Sequence, residues 1–197
     1  MKPNQKTLKS EKTRRSIVNT FLHFYAKQPF EEITVKRVTE QLDINRGTFY
    51  LHYFDLDNLL TSIEDEHLDA IRAINEKNRS SYLAKDVTNL KQYYVSTLEY
   101  IGANKDVFRV LMSTSSRPRF RELFKEAMRD NAKAKNQMAL GAQKWNNFNR
   151  YIVDVLVEGN MGIINNWVSE GNNSTVEEVA ALFGDIMLNL PYSDLSR

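Results

Sequence analysis

The chain has 197 residues, 42% apolar and 26% charged, with 7 Gly, 4 Pro, no Cys and a formal net charge of +2. This balance fits one globular domain or two small ones and excludes collagen-like and disordered classes, disulfides, thiolate metal sites and cysteine nucleophiles. The longest stretches without a charged side chain, 16–26 and 159–169, are eleven residues each, short of the ~20 apolar residues of a membrane-spanning helix.

Scarce Gly and Pro and few alternating β-branched runs predict an all-α protein of about nine helices. Ile17, Phe21, Phe24 and Tyr25 repeat at helical spacing and place a first helix over 8–27, stopped by Pro29. Thr34 reads as the N-cap of a short helix over 35–42, with Val35, Val38 and Leu42 inward. After Asp43-Ile44-Asn45 comes a second short segment, 46–53, which Asn45 can cap. Asp55 caps a longer helix to about 78, with Leu59, Leu60, Ile63, His67, Ala70, Ile71 and Ile74 on one stripe.

Longer helices follow over 86–104, 106–112 and 117–140. The segment 147–170 is apolar almost all round, with Gly171 in the C′ position that favours glycine. A last helix over 175–190 opens on a capping box, Ser174 with Glu177 or Thr175 with Glu178, and ends before Pro191. A helix apolar on every face must be covered on every face. In 147–170 the chain itself can cover one side; a second copy or the rest of the core must cover the other.

Charge is unevenly spread. Residues 1–50 carry ten Lys/Arg against five Asp/Glu, and residues 151–197 one against seven. A basic N-terminal block is the electrostatic mark of a polyanion-binding surface, or a solvated charge cluster. Within it, two short helices joined by three residues form the helix-turn-helix pattern, whose second helix enters the DNA major groove. Arg46, at the start of that second helix, can hold guanine O6 and N7 in bidentate fashion. Gly47 lets the backbone approach the duplex, while Thr48, Tyr50 and His52 supply donors for phosphate. Thr34 exposes a helix N-terminus, and Lys36 adds a cation one turn on. Ile44, Phe49 and Tyr53 remain to hold the helices together.

The string I-T-V-K-R-V-T-E-Q-L-D-I-N-R-G-T-F-Y-L-H-Y-F-D-L-D-N-L-L, residues 33–60, resembles the DNA-binding domain of the TetR/AcrR family of transcriptional regulators. The resemblance covers about 8–68. It implies DNA contact by Thr34, Lys36, Arg46, Gly47, Thr48, Tyr50 and His52. Two positions depart from the family: Asp43 stands where Gly is usual in the turn, and Leu56 where a phosphate-binding Lys is usual. The basic residues Lys2, Lys6, Lys9, Lys12, Arg14 and Arg15 either compensate or form a solvated tail. The run 159–171 and the capped helix after it resemble a C-terminal domain of Gram-positive members, some similar to regulators of dihydroxyacetone kinase operons.

The resemblance implies a DNA-binding domain over 8–68, a dimerisation and effector domain over 69–197, and an interface made by the last two helices. Phe148, Ile152, Val155, Gly159, Ile163, Trp167, Phe183 and Ile186 are its expected residues. The expected function is a homodimeric repressor on a palindromic operator, released by an unknown small-molecule or protein effector. Alternatives are an activator, or a helical adaptor controlled by a protein partner. Effector residues are not legible, although Tyr82, Tyr93, Tyr94, Tyr100, Phe108, Met112, Phe120, Phe124 and Met128 line either a cavity or the core. Arg109, Arg117, Arg119 and Arg121 would suit an anionic effector or a protein partner. No cofactor, metal or catalytic residue is expected. His23, His52 and His67 lie on separate helices, Glu31-Glu32 and Asp65-Glu66 are adjacent rather than paired across a turn, and no Gly-rich phosphate loop appears. With no apolar secretion signal in residues 1–12, a cytoplasmic location away from membranes is expected.

Overall fold

The computed structural model describes residues 5–78, 87–140, 146–169 and 171–189. Among them are nine α-helices and no strand: α1 Gln5–Tyr25, α2 Val35–Gln41, α3 Arg46–Tyr50, α4 Leu56–Lys77, α5 Val87–Ala103, α6 Lys105–Met112, α7 Arg119–Leu140, α8 Asn147–Val168 and α9 Val176–Asn189. A 3₁₀ turn, Phe30–Glu32, follows Pro29.

The helix ends follow local chemistry. Thr34 Oγ1 accepts from the Arg37 amide, Asn45 Oδ1 from Gly47 and Asp55 Oδ1 from Asn58. Each satisfies an amide that a helix N-terminus leaves unpaired. The last capping box is Thr175 with Glu178, bonded in both directions. A capping box the sequence reading did not anticipate opens α8, where Asn146 and Asn149 each accept from the other's amide. The first helix begins at Gln5 rather than at 8, so Lys6 joins Lys9, Lys12, Arg14 and Arg15 in a helix, and these five do not form a tail. Lys2 and Tyr82 lie outside the described residues.

The chain divides into two compact units. One contains residues 1–67 and 113–118; the other contains 68–112 and 119–197, so their boundary falls inside α4. In the first unit, Ile17, Phe21, Val38, Phe49 and Leu59 are wholly buried. Phe21, Tyr25 and Phe30 meet at centroid distances of 5.5–6.1 Å.

Residues 113–118 join this unit through Arg117. Its guanidinium lies 3.6 Å from the Phe30 ring centroid and pairs with Asp57 and Glu31, while its amide donates to the Tyr25 hydroxyl at 2.7 Å. Arg117 is therefore engaged structurally, contrary to its expected availability for an effector. The proline that follows it precedes α7 rather than entering it.

In the second unit, Phe108, Phe120 and Phe124 are buried and packed on one another at 5.7–6.2 Å, with the Tyr100 ring against Phe108. Of the two roles open to these aromatics, they fill the core. Trp167 is also inside, and the missing side chain of Gly102 makes room for it: a Cβ there would lie 3.3 Å from the indole. Arg109 Nε and Lys105 Nζ donate to the carbonyls of Val168 and Asn172, at and just beyond the α8 C-terminus. Cations suit these electronegative carbonyls. Arg109 too has a structural partner.

Candidate nucleic-acid interface

The turn between α2 and α3 depends on one unusual backbone conformation. Asp43 has φ of 52°, a left-handed value that among the described residues no other non-glycine residue adopts. Glycine is the least strained residue there, and Asp is among the few side chains that tolerate it. The turn closes with the Ile44 amide donating to the Thr39 carbonyl at 3.1 Å. Thr39, itself buried, donates its hydroxyl back to the carbonyls of Val35 and Lys36. Phe49 is wholly buried and Tyr53 nearly so, which fixes the inner face of α3.

The outer face follows from that. Arg46 and Gly47 are exposed, Tyr50 is 56% exposed with its ring edge on Phe49, and Thr48 and His52 are half-buried. Arg46 makes no ion pair among the described residues. An added Cβ on Gly47 would meet only the Asn45 side chain, at 3.4 Å. Neither backbone geometry nor packing inside the unit demands a glycine there.

On α2, the two neighbouring cations part company. Lys36 is exposed and its ammonium pairs with Glu40, 3.7 Å away, a weak surface pair. Arg37 lies over the Phe24 ring and donates to Gln28 and to the Glu32 carbonyl. Its charge looks equally available in the sequence, yet it braces the fold. Thr34 is exposed, and its oxygen is engaged as the N-cap.

Leu56, where a phosphate-binding cation is usual in the resemblance, is buried in the first turn of α4. Of the basic residues on α1, Arg14 pairs with Glu66 at 2.7 Å. Burial pushes the His67 imidazole below its ordinary value, against the opposing charge of Glu66. Among the described residues, no three His, Asp or Glu side chains gather to hold a metal, and no helix is long and apolar enough to cross a membrane. Two large apolar side chains near the recognition face went unremarked in the sequence reading, Leu51 at 84% exposure and Phe54 at 82%.

A family model for the C-terminal region of TetR-type transcriptional regulators matches residues 88–189, just over half of the chain. A TetR transcriptional regulator from Streptococcus agalactiae 2603V superposes with a TM-score of 0.59 at 19% identity, covering 92% of this chain and 96% of that one. A TetR-family regulator from Syntrophomonas wolfei strain Goettingen gives 0.63 at 15% identity, with 91% and 95% covered. The dihydroxyacetone kinase operon activator DhaS gives 0.53 at 15%, with 89% and 94% covered. The helix-turn-helix geometry and the matched C-terminal region agree: the chain belongs to the TetR family of DNA-binding transcriptional regulators.

Proposed function

We propose that the protein is a homodimeric repressor of a palindromic operator in the cytoplasm, released from DNA by an effector. The observation that carries this reading is a pair of exposed surfaces of unlike chemistry. One is the outer face of α3, with Arg46, Gly47 and Tyr50. The other is the outward face of α8 and α9, where Phe148, Tyr151, Val155 and Leu182 are 51, 64, 68 and 45% exposed. Polar groups with a cation suit phosphate and base edges. Exposed aromatic and aliphatic side chains on adjoining helices suit a like surface on a second copy. Gly159 and Gly162 stand in open space beside them, and a groove of about 400 Å³ lies between α8 and α9.

Of the expected interface residues, Phe148, Val155 and Gly159 are exposed, and Ile152, Ile163 and Ile186 are half-buried. Trp167 and Phe183 are 4 and 3% exposed and belong to the subunit's own core, Phe183 against Tyr94. The interface we propose is therefore centred on Phe148, Tyr151, Val155 and the two glycines.

Thr34, Lys36, Arg46, Gly47, Thr48, Tyr50 and His52 are the DNA contacts we propose, with Arg46 reading a base and the others holding phosphate or admitting the backbone. An effector acts only through unequal affinity for the DNA-bound and free states, and operator DNA changes effector affinity by the same factor. The test is selection of genomic fragments by the purified protein, followed by gel shift against excess competitor. Binding to a symmetric site at one dimer per site is expected; binding that vanishes with competitor supports a helical adaptor instead. The structural relative DhaS is an activator, which favours activation as the second reading; a reporter driven by the selected fragment gives the sign directly.

A further inference from the structure

The exposed side of α3 is not wholly polar. Residues of an α-helix are spaced at about 100° around its axis, so Gly47 and Leu51 both lie roughly opposite the buried Phe49. Leu51 continues the helical backbone at φ −72° and ψ −18°, and its amide donates to the Gly47 carbonyl at 3.1 Å, one turn apart. The side chain is 84% exposed, so nothing in its own unit covers it. A branched aliphatic group therefore projects at the C-terminal end of α3, on the side of the helix that carries Gly47. Arg46 stands at the opposite end of the same short helix and Lys36 on the neighbouring one, and these exposed cations suit a polyanion as the partner that covers the apolar spot. Of the groups in the major groove, one is apolar: the C5-methyl of thymine.

We propose that Leu51 is a specificity-determining residue that packs on a thymine methyl group in each operator half-site. This rests on the DNA-binding reading above. Leu51 supplies no hydrogen bond. It discriminates because a thymine buries the leucine's apolar surface, whereas a purine sets polar groups against it and leaves them unsatisfied, and cytosine offers only a C5–H in place of the methyl.

The probe is the set of duplexes that the wild-type chain enriches from a random pool. Each thymine of the enriched half-site is replaced in turn by uracil, which deletes the methyl and keeps the pairing. At one position the wild type should bind about fourfold more weakly, the loss expected for one methyl removed from apolar contact. Leu51→Ala should bind the thymine and uracil duplexes equally, and Leu51→Met should retain the discrimination. Phe54→Ala, which removes an equally exposed apolar group beyond the α3 turn, should also retain it. Because Leu51 is exposed, thermal melts should match the wild type. Identical uracil penalties in wild type and Leu51→Ala overturn the assignment, as does their absence in the wild type or their loss in Phe54→Ala; these results leave DNA binding standing. A wild-type chain that enriches no sequence overturns both readings.

Discussion

Helices α3 and α8 pose the same question on different scales. The first has 5 residues and the second 22, yet both present glycines that their own subunit does not require. Gly159 and Gly162 face open space and a Cβ on Gly47 would touch only the Asn45 side chain, at 3.4 Å, unlike Gly102, whose missing side chain accommodates Trp167. A glycine inside a helix costs about 1 kcal/mol against alanine. Where internal packing explains it, as at Gly102, no partner is implied. Where nothing does, the surrounding chemistry indicates what approaches. Around Gly47 it is cationic and hydrogen-bonding; around Gly159 and Gly162 it is aromatic and aliphatic. The contrast separates a glycine that internal packing explains from ones it does not, and the contacts proposed above are what the latter would serve.

The largest expected effect tests the α8 side. Val155→Asp places a charge on an exposed apolar face, so the subunit should remain folded while losing its partner. Sedimentation should then give a monomer, and affinity for a two-half-site operator should fall by roughly 10²–10⁴, the loss of linked binding. Phe183, buried in the same region, should behave differently: Phe183→Ala should lower stability by about 3–5 kcal/mol through a cavity, seen as a drop in denaturant midpoint. If Val155→Asp stays dimeric, the partner lies on another face.

Arg46→Ala tests the α3 side. It should weaken operator binding by about 1–3 kcal/mol and relax preference at one base pair per half-site, read by repeating the selection with the variant. An unchanged preference would remove Arg46 from base reading. Gly47→Ala sharpens the comparison because stability and binding should move oppositely. Thermal stability should rise by about 0.5–1 kcal/mol, since alanine is the better helix former. Operator affinity should fall by roughly 1–3 kcal/mol if the added methyl crowds the duplex. A fall in stability would mean that the unit itself requires the glycine.

The smallest effect belongs to the turn between α2 and α3. At Asp43, a left-handed φ of 52° should make Asp43→Val cost about 1–2 kcal/mol. Asp43→Gly should shift stability by under about 1 kcal/mol, because relief of strain offsets greater freedom in the unfolded chain. Paired melts of the two variants measure this, and equal midpoints would show that the turn relaxes.

What the residues alone determined is what local chemistry decides. Helical periodicity, the caps Thr34, Asn45 and Asp55, and a capping box at either Ser174 and Glu177 or Thr175 and Glu178 act within a turn or two, so about nine helices and the helix-turn-helix were legible without any tertiary information. Asp43 stood out only through the family resemblance, which has Gly in that turn; its left-handed φ was seen in the structure. The tertiary structure decided which face each helix spends inward. Periodicity shows that α8 is apolar all round, but not that Trp167 turns in while Tyr151 and Val155 turn out; that depends on α5, α6 and α7, distant in sequence. The same holds for the fate of equal charges. Lys36 and Arg37 are neighbours of like sign, and Arg117 reads as a free cation. Only when Phe24, Phe30, Asp57 and Glu31 are brought beside them does one remain at the surface while two become braces. Whether a charge is free is a non-local property, set by burial and by partners that the chain reaches only by folding.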